Sequence, residues 1–95
     1  MRIEQLRYLT AVEEHGTLRR AGERLPLSQP ALAEALTKLE RELGTRLLDR
    51  DRTGTRISDE GRQLLPLVRA VLDAVDGLRM SAREGAPGAV SESRG

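Results

Sequence analysis

Residues 18–43 read LRRAGERLPLSQPALAEALTKLEREL, a pattern of two helices joined by a tight turn. Ser28 is a strong N-cap, because its hydroxyl can accept one of the backbone N–H groups left unpaired in a helix's first turn. Pro30 is tolerated just inside that start, since a first-turn amide has no intrahelical partner to lose. From there Leu32, Leu36, Leu39 and Leu43 recur at alternating steps of four and three, one helical stripe, and Gly44 follows as a C-cap. At about 100° per residue the opposite side carries Gln29, Pro30, Ala33, Glu34, Thr37 and Arg41. That side is small and able to meet base edges without burying unpaired groups. Upstream, Thr17 caps a shorter helix with Leu18, Ala21 and Leu25 inward and Arg19, Arg20 and Arg24 outward, and Pro26 stops it. Two short helices at a steep angle, the second presenting its N-terminus, form the helix-turn-helix geometry. Spacing alone fits equally well a helical hairpin in a small α domain whose arginines only solvate it.

Working outward, residues 3–15 form a supporting helix with Ile3, Leu6, Leu9 and Val12 inward and Gly16 at its end. Tyr8, the only aromatic residue, belongs with the core. His15, the only histidine, sits at that helix's C-terminus, where a cation is mildly favoured, and lacks partners for metal or catalytic work. Beyond Gly44, residues 45–50 and 55–58 make two short strands around Asp51-Arg52-Thr53-Gly54, with Gly54 supplying the positive φ of the turn. This hairpin is a wing. Arg50, Arg52, Thr53 and Arg56 then lie beside a DNA backbone, Arg52 at the tip being best placed for a minor groove. The competing use of Arg50 and Arg56 is pairing with Asp49, Asp51 or Asp59.

Ser58 caps a long helix whose first turn carries Asp59 and Glu60, where carboxylates suit the dipole. Along it Leu64, Val68, Val71, Val75, Leu78 and Ala82 alternate by four and three, and Leu65 and Leu72 broaden the stripe. About 25 residues span about 37 Å, more than a small domain needs. Burial within the chain is the alternative, but the chain offers no other surface large enough, so a second copy is expected, with Leu64, Val68, Val71, Leu72, Val75 and Leu78 as its interface. Pro66, inside the seam, is expected to bend the helix. From Arg83 onward the composition is that of a linker or tail. The domain plan is therefore residues 1–58 as a winged helix-turn-helix, 59–84 as a linker and dimerisation helix, and 85–95 as a tail.

Ninety-five residues make one small domain plus an appendage, marginal alone and helped by oligomerisation. The net charge is only +1, but residues 1–58 carry eleven Lys or Arg against nine acids, and residues 59–95 five against six. The basic surplus thus sits with the helix-turn-helix and is small, which predicts a modest electrostatic contribution rather than sequence-blind adhesion. There is no cysteine, so disulfide and thiol chemistry do not enter. No apolar run reaches membrane-spanning length, and charged residues interrupt the N-terminus where a signal peptide would be apolar, so a cytoplasmic protein without a membrane partner is expected. No cofactor, metal site or enzymatic centre is expected. The acids Asp49, Asp51 and Asp59 alternate with arginines, and no histidine or nucleophile accompanies them.

Residues 1 to about 84 resemble the N-terminal domain of LysR-type transcriptional regulators. The matching residues are Gln5-Leu6-Arg7-Tyr8 with Val12, Gly16-Thr17, Arg20-Ala21 with Glu23-Arg24-Leu25, and Ser28-Gln29-Pro30-Ala31-Leu32. Leu39-Glu40 with Glu42-Leu43-Gly44, Leu47-Leu48 with Arg50, and Gly61 continue the match without a gap. The resemblance implies a mainly α winged helix-turn-helix that binds double-stranded DNA as a homodimer at an interrupted two-fold site, with tetramers only where an effector domain is present. It implies Gln29 and Pro30 at the major groove, and Ser28 and Thr17 on phosphates with Arg19, Arg20, Thr37 and Lys38 nearby. Ala33 stands where the family usually has serine. Glu34 stands where arginine, lysine or glutamine is common, and a helical pair with Lys38 is the favoured reading of it over acceptance from a cytosine amino group. Leu18 and Leu48 stand where phenylalanine is frequent, which lightens the core. The small-molecule inducer site of such regulators lies in the effector domain, so none is expected in these residues. A reading from another class is an interaction protein that dimerises with full-length relatives through the long helix and blocks their assembly.

Overall fold

The computed structural model describes residues 1–85. Helices α1 (Ile3–His15), α2 (Leu18–Arg24) and α3 (Gln29–Leu43) are followed by a hairpin of β1 (Leu48–Asp51) and β2 (Gly54–Ile57), and then by α4 (Asp59–Glu84). Local chemistry sets these starts. The hydroxyls of Thr17, Ser28 and Ser58 accept the N–H of Arg20, Ala31 and Gly61 at 3.1, 3.2 and 2.9 Å, so all three expected N-caps form. Gly44 ends α3 in the left-handed conformation with its N–H on the Glu40 carbonyl.

The three short helices close around Leu9, Val12, Leu32, Leu36 and Leu39, all fully buried, and Leu47 plugs the core from the loop ahead of the hairpin. Each such side chain contributes about 1.5–3 kcal/mol of burial. The expected inward face of α1 holds for Leu6, Leu9 and Val12, while Ile3 and Tyr8 pack half-buried against the cluster. In the hairpin, Leu48 faces Ile57, Asp49 faces Arg56, Arg50 faces Thr55 and Asp51 faces Gly54. Only Gly54, at φ 126°, leaves the ordinary backbone region in the hairpin. The ladder is shorter than residues 45–50 and 55–58 suggested, because the N–H groups of Thr45 and Leu47 go to Glu40 of α3 and the Arg46 carbonyl accepts from Ser58.

Helix α4 is attached by its first turn. Ser58, fully buried, both caps α4 and donates its hydroxyl to the Arg46 carbonyl at 2.7 Å. A Cβ at Gly61 would lie 2.8 Å from the Leu47 carbonyl oxygen, so this close approach needs glycine. Two ion pairs join α4 to α1, Arg62 to Glu13 at 3.0 Å and Arg7 to Asp76 at 3.2 Å. The helix continues through Pro66, whose ring faces solvent.

One expectation needs correction. Val68 and Leu72, expected on the surface shared with a second copy, are instead 6% and 8% exposed and pack with Leu65 in the chain's own core. The apolar stripe of α4 covers about half the helix circumference. Its own domain occupies the part formed by Gly61, Leu65, Val68 and Leu72. The part left exposed carries Leu67 (67% exposed), Val71 (43%) and Leu78 (70%), flanked by half-buried Leu64 and Val75. Beyond Leu72 no α4 residue is buried, and past the Arg7–Asp76 ion pair every α4 residue is exposed, so the last eight residues, about 12 Å, extend past the body.

Candidate nucleic-acid interface

Helix α3 turns Leu32, Leu36 and Leu39 into the core, and this fixes what the other side offers. Gln29, Pro30, Glu34, Lys38 and Arg41 are exposed, with Ala33 and Thr37 half-buried beside them. The expected base-contact residues divide between two flanks. Gln29, Pro30 and Ala33 line a cleft shared with Leu18 and with Arg50, Asp51, Gly54 and Thr55 of the hairpin. Glu34 and Lys38 lie round the helix, in a groove towards Arg2, Gln5 and Tyr8 of α1 and its approach. Glu34 and Lys38 do pair, at 3.8 Å. With only a methyl group at position 33, the cleft stays open to Arg50, which has no hydrogen-bond or ion-pair partner among the described residues.

The anchors behind this face are built from capping groups. Because the Thr17 and Ser28 hydroxyls accept backbone N–H groups, their own protons remain available to an anionic oxygen in front of a helix N-terminus. Thr17 also lies against Gly54, so the start of α2 and the hairpin form one continuous surface. The stem of Gln29 packs where Gly22 has no side chain, which fixes the α2–α3 turn. Arg19 is engaged by Glu23 at 2.9 Å, whereas Arg20 and Arg24 are exposed without an acidic partner among the described residues.

At the wing tip, the Asp51 carboxylate accepts both the N–H and the hydroxyl of Thr53, at 2.7 and 2.6 Å, and the Thr53 hydroxyl accepts from Arg56 Nε at 3.1 Å. The Thr53 hydroxyl bond, then its backbone N–H, hold the Asp51 carboxyl below its ordinary pKa, with a smaller contribution from the Arg56 charge. Thr53 and Arg56 are thus turn-building groups. Arg52, which makes no such bond among the described residues, is left projecting from the tip. Asp49 pairs with Arg46 at 3.3 Å rather than with Arg50 or Arg56.

Sequence reasoning overlooked Glu40. Its Oε2 accepts the N–H groups of Leu47 and Leu48 at 2.8 and 2.9 Å, tying the root of the wing to the last turns of α3. The only hint was the Leu39-Glu40 pair in the family pattern, which names no partner seven and eight residues on. Among the described residues, no three His, Cys, Asp or Glu side chains gather as a metal site would require.

The family model described as bacterial regulatory helix-turn-helix protein, lysR family, matches residues 3–62. The chain belongs to the LysR family. Over 87 residues it is 41% identical to YdcI of Escherichia coli (strain K12), an uncharacterized HTH-type transcriptional regulator, covering 90% of this chain and 28% of that one. It is 38% identical over 94 residues to the small neutral protease regulatory protein of Streptomyces coelicolor, covering 99% of this chain and 29% of the relative. The chain therefore spans less than a third of the length of these LysR relatives. Two solved DNA complexes share the fold. The CbnR DNA-binding domain has a TM-score of 0.83 and 32% identity, covering 90% of this chain and 99% of that one. The BenM DNA-binding domain on benA site 1 has a TM-score of 0.80 and 31% identity, covering 93% and 99%. This chain is thus a LysR-type helix-turn-helix DNA-binding domain. None of its described helices is long and apolar enough to cross a membrane.

Proposed function

We propose that this domain binds an interrupted two-fold DNA site as a homodimer in the cytoplasm. The N-terminal half of α3 enters the major groove, and the wing lies at the backbone and minor groove. The observation that carries this reading is the shared cleft of Gln29, Pro30 and Ala33 with Arg50 and the hairpin, flanked by the capping hydroxyls of Thr17 and Ser28. A convex helix beside a projecting hairpin matches a major groove next to a phosphate ridge. Gln29 supplies a bidentate amide suited to adenine, and Pro30 an apolar contact for a thymine methyl. Thr17, Ser28, Arg19, Arg20 and Thr37 serve the backbone, and Arg52 the groove beyond the ridge.

The second copy packs on the free part of α4, over Leu67, Val71 and Leu78 with Leu64 and Val75 at its edge. Apolar side chains repeating at helical spacing and exposed by 43–70% suit an antiparallel copy of the same helix. The test is selection of the purified chain against a randomised duplex pool at moderate salt. The expected outcome is an interrupted two-fold motif, with preference at one position per half-site relaxed in Gln29→Ala. A folded dimer that enriches no motif would refute the reading and favour a partner-blocking protein.

A further inference from the structure

Resting on that major-groove reading, we propose that Glu34 and Lys38 together read one cytosine–guanine base pair. Glu34 accepts from the cytosine amino group, and Lys38 donates to the guanine of the same pair. Glu34 lies on the side of α3 opposite Leu32, Leu36 and Leu39, and its side chain is 70% exposed. Its contact with Lys38 is one Nζ–Oε2 approach of 3.8 Å, longer than a hydrogen bond. The second carboxylate oxygen and the ammonium protons therefore remain available. An exposed pair of this kind is too weak to hold the acid out of reach of a ligand.

A carboxylate facing the major groove meets four different edges. Guanine offers N7 and O6, thymine O4, and adenine an N7 acceptor beside its amino group. Only cytosine presents a donor with no acceptor. The carboxylate is thus repelled by three bases, wholly or in part, and welcomed by one. Across the pair, guanine O6 and N7 are the acceptors an ammonium fits. The cytosine amino group and guanine O6 are neighbours across the pair, hydrogen-bonded at about 2.9 Å, so an acid and an ammonium one helical turn apart can each reach one of them. The charges therefore match the base pair in sign. Glu34 follows Gln29 by five residues, about 7.5 Å of rise, or about two base-pair steps of 3.4 Å. The two residues thus address different positions of each half-site.

The experiment is the same duplex selection run with the full chain and three variants: Glu34→Ala, Lys38→Ala and the exchange Glu34→Lys with Lys38→Glu. All sites are exposed, and an unchanged helical circular dichroism signal checks folding. The parent chain should enrich cytosine–guanine at one position per half-site, about two steps from the position relaxed in Gln29→Ala. Glu34→Ala should lower that preference about five-fold or more and leave the rest of the motif intact. Lys38→Ala should lower it less, and the exchange should invert it to guanine–cytosine. A Glu34→Ala motif identical to the parent's, or an exchange that keeps cytosine–guanine, would overturn the inference while leaving major-groove binding standing. A parent chain that is folded and dimeric but enriches nothing would overturn both.

Discussion

Removing the Glu40 carboxylate should cost the domain both stability and the position of its wing. The side chain is half-buried and accepts two backbone N–H groups, those of Leu47 and Leu48 at 2.8 and 2.9 Å. A hydrogen bond to a charged group contributes about 1.5–3 kcal/mol, and truncating one partner leaves the other unsatisfied. Water can reach part of this site, so the two bonds together should be worth about 3 kcal/mol rather than the full sum. For a domain of this size that corresponds to a fall in Tm of roughly 12–24 °C. Glu40→Ala should show that fall by circular dichroism at a fixed chain concentration, because dimerisation links Tm to concentration. Amide exchange at Leu47, Leu48 and the hairpin should quicken before exchange in α3 does. Glu40→Gln keeps an acceptor and loses the charge, and should fall by about half as much. A Glu40→Ala protein melting within 2–3 °C of the parent, with hairpin protection unchanged, would refute the tether.

The free part of α4 can be separated from its packed part by paired substitutions. Leu67→Asp should leave a folded monomer by light scattering, whereas Leu65→Asp, at a site only 2% exposed, should unfold the chain; a folded Leu67→Asp dimer would move the interface elsewhere. Arg52→Ala should lower the slope of log K against log salt by about one unit if the tip engages a phosphate, and an identical slope would remove it from the interface. The lowered pKa of Asp51 means that its bonded turn contributes stability above the unfolded-state pKa and loses it as pH falls through the folded value. Thr53→Ala removes the largest cause of that lowering, so the Asp51 carboxyl followed by NMR should titrate at higher pH. An unmoved titration would contradict the hydrogen-bond assignment.

What could be read from the sequence was local. Thr17, Ser28, Ser58 and Gly44 act within one turn of their own positions, so their residue types alone announce the helix ends. The hairpin turn followed from Gly54 for the same reason. The division of the α4 stripe was not local. Val68 and Val71 look alike on a helical projection, and only the angle at which α4 crosses the core buries one and exposes the other. Glu40 was silent because its partners are backbone groups reached only after the chain folds back. The interface shows the same boundary. The outward set on α3 was legible from period, but the division that places Ala33 with Arg50 and Glu34 with Lys38 needed the wing and α1 in place.

On α3 the residues that face outward and those that hold the fold are almost disjoint. Leu32, Leu36 and Leu39 have no exposed surface, while Gln29, Pro30, Glu34 and Lys38 carry none of the core. Substitutions at Glu34 and Lys38 should then leave melting behaviour nearly constant while DNA preference changes, since exposed replacements away from caps usually shift stability by less than about 0.5 kcal/mol; Gln29, whose stem packs at Gly22, is the exception. Such a scaffold lets new operator sequences arise one substitution at a time, with each intermediate still folded.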